Sequence, residues 1–140
     1  MTTAAIAGVG ASFKRGNGGS PEAFAAIAEI NSIGGPTMSR GQIDVTSLDS
    51  TGGYREFIAG FRDGGQVTLN MNFTRDGYIA LLADFQSDAE RNYQIVLPDT
   101  GSTTFDFAGL VMGIPLDIPL DNKITCVCTI KVTGAITISS

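Results

Sequence analysis

Histidine and tryptophan are both absent from this 140-residue chain, and cysteine occurs only twice. Without histidine no Ser–His or Cys–His nucleophile pair can form. Cys126-x-Cys128 finds neither an imidazole nor a second cysteine pair to complete a four-ligand zinc site, so no metal is expected there. On a strand the two thiols share one face and read as small core residues in a reducing compartment. Charge is also scarce. Nine basic residues against 14 acidic ones leave a net charge of −5, and only Lys14 and Arg15 are adjacent, so no basic patch exists to displace counterions from a nucleic acid. No apolar run approaches the length of a membrane-spanning helix. The early AAIAGVGA stretch is too short, and too free of preceding basic residues, for a secretory signal. Carboxylate pairs such as Asp44 with Asp49 lack the aromatic surroundings that raise one pKa for acid–base work. Asp84 and Asp88 read as solvated charges near a helix end, and Asp117 and Asp121 offer too few oxygens for a calcium loop. The chain therefore has no catalytic constellation, and neither an enzymatic activity nor a cofactor is expected.

What is present points to β-structure. The composition is 43% apolar with 18 glycines, and Thr, Val and Ile recur in short runs, which favours a β-rich single domain with a real core. Met1 to Ser20 is small and glycine-rich, and its ordering entropy exceeds what it can bury, so residues 1–20 are expected to form a flexible arm ahead of a domain at 21–140. Ala26 to Ile33 reads as a strand, turned at Gly34-Gly35-Pro36, with Met38 to Thr46 as its hairpin partner. Val67 to Phe73 is the clearest strand: Val67, Leu69, Met71 and Phe73 on the core side, Thr68, Asn70 and Asn72 on the other. A helix is predicted over Asp76 to Phe85, capped by Thr74 or Asp76, with Tyr78, Leu81, Leu82 and Phe85 as its apolar stripe. Tyr93 to Leu97 and Thr103 to Met112 form a hairpin around Pro98-Asp99-Thr100-Gly101. Two prolines forbid a central strand at 115–122, and Ile124 to Gly134 is the last long strand. The sum is mainly β, a sandwich or partial barrel of about seven strands with one flanking α-helix.

One stretch does not fit a plain sandwich. Ile43 to Gly65 opens as a strand, then forms a loop at 46–66 whose roughly 20 residues are unusual in a compact domain. Tyr54, Phe57, Ile58 and Phe61 in that loop must land on the domain itself or on a neighbour. The run D-x-T-x-x-D-S-x-G-G-Y-R-E-F from Asp44 to Phe57, together with IAEINSIGGPTMSR from Ile27 to Arg40, resembles the major tail tube proteins of long, non-contractile-tailed bacteriophages. The likeness extends over most of the chain, from Phe24 to Gly134, through a turn at Leu97-Pro98-Asp99.

That resemblance implies a structural virion protein, made in the host cytoplasm and carried in the tail. Six copies would close into a ring, each adding strands to one inner β-barrel, and rings would stack into a tube. Double-stranded DNA would pass through without specific binding. The partners it implies are further copies of the chain, with tape-measure and tail-end proteins by analogy, and no membrane. Asp44, Thr46, Thr68, Asn70 and Asn72 are the candidate lumen-facing residues, with acidic character keeping phosphates off the wall. Asp49, Tyr54, Arg55, Glu56, Phe57, Phe61, Arg62 and Asp63 are the candidate ring-to-ring contacts. The alternatives are the hexameric tube component of a contractile secretion system and a carbohydrate-binding sandwich module. The latter wants aromatic platforms that a chain with no Trp and three Tyr supplies poorly.

Overall fold

Alternation builds the molecule: wherever every second residue is apolar, the chain runs as a strand with that face inward. The computed structural model describes residues 6–19, 21–27 and 29–139. Among them the strands are β1 (Ser12–Gly16), β2 (Phe24–Ala26), β3 (Ile30–Gly34), β4 (Ser39–Asp44), β5 (Phe57–Asp63) and β6 (Gln66–Asn72). The helix α1 (Arg75–Gln86) follows, and then β7 (Arg91–Val96), β8 (Thr104–Gly113), β9 (Leu116–Asp117) and β10 (Thr125–Ser139). One antiparallel sheet has the order β2-β1-β7-β8-β10-β6-β3, with β9 added to the start of β10. Strands β4 and β5 form a separate two-stranded sheet.

The core lies on one face of the large sheet. Val67, Leu69 and Met71 of β6 meet Cys126, Cys128, Ile130 and Val132 of β10, beside Phe107 and Val111 of β8. Leu81 of α1 closes that face, and burying each large side chain contributes roughly 1.5–3 kcal/mol. At the β1–β7 side, Phe13 stacks on Tyr93 with ring centroids 5.4 Å apart, and Phe107 tilts against Tyr93 at 5.8 Å. Helix α1 starts where expected, with the Thr74 hydroxyl accepting from the Gly77 amide at 3.3 Å. Leu81 is fully buried, whereas Phe85 and Phe73 are exposed and stand outside the core.

Several expectations are corrected. Within the stretch read as a flexible arm, Ser12–Gly16 is a strand between β2 and β7, held because Phe13 is fully buried; residues 1–5 lie outside the described ones. The single strand expected over 26–33 is two, since Glu29 turns the chain at φ +59°. Strand β2 then pairs with β1, and β3 with β6. Met38 to Thr46 does not fold back on β3. Instead β3 and β4 form one leg of a long hairpin whose other leg is β5 and β6. The loop at 46–66 accordingly contains a full return strand. At the end of the chain, β10 runs on to Ser139 past an irregularity between Thr133 and Thr137.

Asp84 is no solvated charge; it is 4% exposed. Arg15 of β1 donates to both its oxygens at 2.7 Å, the Arg91 Nε of β7 lies 2.6 Å away, and the Tyr93 hydroxyl donates at 2.8 Å. These bonds tie α1 to the strand that follows it, β7, and to β1, which is 69 residues away in sequence. Hydrogen bonding to Asp84 raises the Arg15 pKa further, and burial drives the Tyr93 phenol well above its ordinary range.

The thiols behave as the sequence suggests. Both cysteines are buried and unpaired, and burial pushes the Cys128 thiol up to about 12. Native protein at pH 8 should therefore leave a disulfide-exchange reagent essentially unreacted, and denaturant should release both thiols. Rapid labelling of native protein would contradict this packing.

Candidate functional site

The break between the two halves of the long hairpin is a backbone device. Gly35 at φ +90° and Gly65 at φ +73° face each other across the two legs. A Cβ on Gly35 would strike the Gln66 carbonyl, and one on Gly65 would strike Thr37. Only glycine fits either place. Beyond this pair β4 and β5 leave the main sheet as an arm, in register through Arg40 opposite Arg62, Ile43 opposite Ile58 and Asp44 opposite Phe57.

The turn joining β4 to β5 is built rather than loose. The Thr46 hydroxyl accepts from the Glu56 amide at 2.7 Å, and the Asp44 carboxylate accepts from the Thr46 amide at 2.9 Å. Hydrogen bonds from Thr46 hold the Asp44 carboxyl below the usual carboxylate range. The Ser50 hydroxyl accepts from Ser47 and donates to Glu56, and a single 3-10 turn at Thr51–Gly53 reverses the chain.

The arm buries almost nothing of itself. Every residue of β4 is exposed, and in β5 only Gly60 is partly covered. Of the nineteen large apolar side chains exposed among the described residues, eight lie here: Met38, Ile43, Val45, Leu48, Tyr54, Phe57, Ile58 and Phe61. Leu48 and Phe61 are essentially as open as in an unfolded chain, at 106% and 97%. A lone two-stranded hairpin is marginal in water, and among the described residues both outer edges of this one lack a strand neighbour.

All eight expected ring-contact residues fall on this arm. Asp49 and Tyr54 are in its turn region, Arg55 and Glu56 begin its return, and Phe57, Phe61, Arg62 and Asp63 are on β5. Arg55 lies 3.6 Å from Asp44 of its own arm, and Asp63 takes the Lys131 ammonium at 2.9 Å. The Lys131 bond holds the Asp63 carboxyl low. At the arm's root Met38, Arg40, Phe61 and Arg62 face Val132 and Ile136 of β10 across an open cleft of about 1130 Å³.

The five expected lumen residues divide between two sheets. Thr68, Asn70 and Asn72 lie on the outward face of β6, where their neighbours on β10 are Thr129, Val127 and Thr125. Asn70 donates to the Ser32 hydroxyl at 2.9 Å, and Asn72 accepts from Asn31 at 3.0 Å and donates to the Glu29 carboxylate at 3.4 Å, so this face is a polar network with one carboxylate at its Asn72 end. Asp44 and Thr46 belong to the arm. Sequence reasoning missed Met38, Arg40 and Ile43 as exposed arm residues, although Ile43 and Val45 alternate as a sheet face should. It read 115–122 only as a segment without a central strand, and so missed Ile118 and Leu120, which stand exposed beside Asp117 and Asp121.

No curated protein matches the sequence. Among solved structures, a chain from the tail of an empty gene transfer agent particle, refined helically with C6 symmetry, superposes with a TM-score of 0.81 at 21% identity, over 97% of this chain and 100% of that one. A chain from the virion of a native gene transfer agent particle gives 0.78 at 20% identity, with the same coverage. A chain from the sheath/tube terminator of an extracellular contractile injection system gives 0.74 at 11% identity, over 100% of both chains. At these identities the likeness concerns the fold. The sequence itself matches the profile of the Lambda phage tail tube protein, TTP, over residues 7–139, and this chain belongs to that family.

Proposed function

We propose that this protein is the repeating subunit of a phage-type tail tube, polymerising as stacked six-fold rings around a bore through which double-stranded DNA passes. One observation carries the reading. A projecting two-stranded arm exposes eight large apolar side chains and two open edges, a surface that a lone molecule has no means of covering. Identical copies supply both missing parts, apolar cover and strand neighbours. Six-fold closure is taken from the C6 symmetry of the similar tail chain. If each copy supplies about four strands at about 4.8 Å spacing and about 40° tilt, the barrel backbone is roughly 48 Å across. Side chains narrow that bore to roughly 35–40 Å, ample for a duplex about 20 Å wide.

The wall in this proposal is formed by Thr68, Asn70 and Asn72, continued by Asp44 and Thr46. Its non-adhesive quality differs in kind from an acidic lining. The β6 part bears hydroxyls and amides, and Asp44, the one carboxylate of the set, already has Arg55 beside it. On the β6 side, Lys131, opposite Gln66, is paired with Asp63. DNA slides because the wall holds no free cation to detain a phosphate, and what net repulsion remains reaches only about 8 Å at physiological salt. The arm residues Asp49, Tyr54, Arg55, Glu56, Phe57, Phe61, Arg62 and Asp63 make the contact between rings. The role is structural, with no catalysed reaction, and tape-measure and tail-end proteins are the heterologous partners. The subunit resides in the virion tail.

Electron microscopy of concentrated pure protein tests this. Tubes with six-fold averages and a bore of roughly 35–40 Å are expected. Protein that stays monomeric under every assembly condition overturns the reading.

A further inference from the structure

Polymerisation needs a surface that receives what the arm offers, and a second set of exposed apolar groups stands far from it. Ile118 and Leu120, 68% and 98% exposed, project from the turn at 115–123, a ledge tied to the body through β9. Asp117 and Asp121 flank them, and neither side chain enters a hydrogen bond or ion pair among the described residues. Proline at 115 and 119 keeps this segment from extending as a sheet strand, so its side chains remain presented.

The ledge and the arm mark opposite ends of one strand pair. Thr125 of β10 pairs with both Asp117 and Asn72, so the ledge sits at the Asn72 end of β6. The arm departs at the other end, where Gln66 pairs with Lys131. Seven residues of β6 separate the two, about 20 Å at the rise of an extended chain. At the arm end the concave cleft carries Arg40 and Arg62, which are directly opposite each other across β4 and β5. Like charges in that register repel, and neither guanidinium has a carboxylate partner among the described residues.

We infer that the 115–123 ledge of one copy seats in the arm-root cleft of the next copy, Asp117 and Asp121 pairing with Arg40 and Arg62 while Ile118 and Leu120 cover Phe61 and Met38. This rests on the tube reading and names the surface that receives the arm. Each half explains a feature left open in the single chain: two uncompensated arginines facing one another, and two uncompensated aspartates beside bare aliphatic groups. Because the complementary surfaces are different and lie at opposite ends, the contact is head-to-tail, the kind that can stack one copy on the next. The acidic ledge and basic cleft also fix polarity, since ledge-to-ledge and cleft-to-cleft encounters repel.

Two charge-reversed proteins test this: R40D/R62D and D117R/D121R. All four residues are exposed or at the surface of the open cleft, so each variant should keep the wild-type circular dichroism and melting curve. Either variant alone should raise the critical concentration for polymer on the order of a hundredfold. An equimolar mixture should recover polymer near the wild-type concentration, because each variant's cleft then meets a ledge of opposite charge. Tubes from either variant alone at wild-type concentration, or no recovery on mixing, overturn the inference while leaving the tube reading intact. If wild-type protein run in parallel forms no polymer, both readings fall together.

Discussion

Joining Met38 directly to Gly64, with Ser39 to Asp63 removed, is expected to give a folded monomer that no longer forms tubes. The body closes without the arm. Thr37 and Gln66 already bridge the two legs, through the Thr37 amide to the Gln66 carbonyl at 3.3 Å and the Gln66 amide to the Thr37 hydroxyl at 3.0 Å. No arm residue belongs to the buried core. The ion pair lost, Lys131 with Asp63, is half-exposed on both sides and contributes at most about 1 kcal/mol. The urea midpoint of the shortened protein should therefore correspond to a stability within about 2 kcal/mol of the parent. Sedimentation velocity should show a single monomeric species at concentrations where the intact chain polymerises. Loss of seven exposed apolar side chains, Ile43, Val45, Leu48, Tyr54, Phe57, Ile58 and Phe61, should also raise its solubility limit. Two results would count against the arm as connector: tubes formed by the shortened chain, or a body that cannot fold without the arm.

How far the sequence could be read follows from where each residue finds its partners. Strands with one covered face, such as β6 and β10, announce themselves by period two, and α1 by its Thr74 cap and periodic stripe. The return strand β5 does not. Phe57, Ile58, Ala59, Gly60 and Phe61 are apolar in succession, with no alternation, and a segment exposed on both faces in the monomer gives no single-chain core to set the phase. It was legible as something needing cover and illegible as a strand. Strand β1 failed for a different reason. SFKRG is short, glycine-bounded and half charged, and only the pocket formed by Tyr93 and Phe107 makes Phe13 a core residue. The lumen set shows the limit of parity. Alternation assigns faces within one sheet, and the glycine break at Gly35 and Gly65 places Asp44 and Thr46 in another. Asp84 had no local signal that distinguished it from Asp88, because Arg15 is 69 residues away and meets it only in the folded chain.

That buried carboxylate should carry the largest single-residue effect in the body of the protein. Among the described residues Asp84 is the one anion paired with Arg15, Arg91 and the Tyr93 hydroxyl, with its own side chain 3% exposed. Asp84→Asn keeps the shape and removes the charge, leaving two guanidinium groups close together in a region only partly open to water. Breaking one side of a buried pair costs about 3–5 kcal/mol, because the desolvation already incurred loses its compensation. For a domain of this size the melting temperature should fall by about 10 °C or more. The loss should be local before it is global: amide exchange should accelerate first in α1 and β1, the elements that these bonds hold to β7. Replacing the whole cluster separates this account from simple intolerance of the position. Arg15→Met, Asp84→Leu, Arg91→Met and Tyr93→Phe together remove every polar group that needs a partner, and buried ion networks exchanged for apolar side chains of similar volume are often neutral. The fourfold variant should therefore regain most of the stability that Asp84→Asn loses. A loss below about 1 kcal/mol for Asp84→Asn, or a fourfold variant less stable than the single one, would mean that α1 is held by its Leu81 packing and that the ion cluster is incidental.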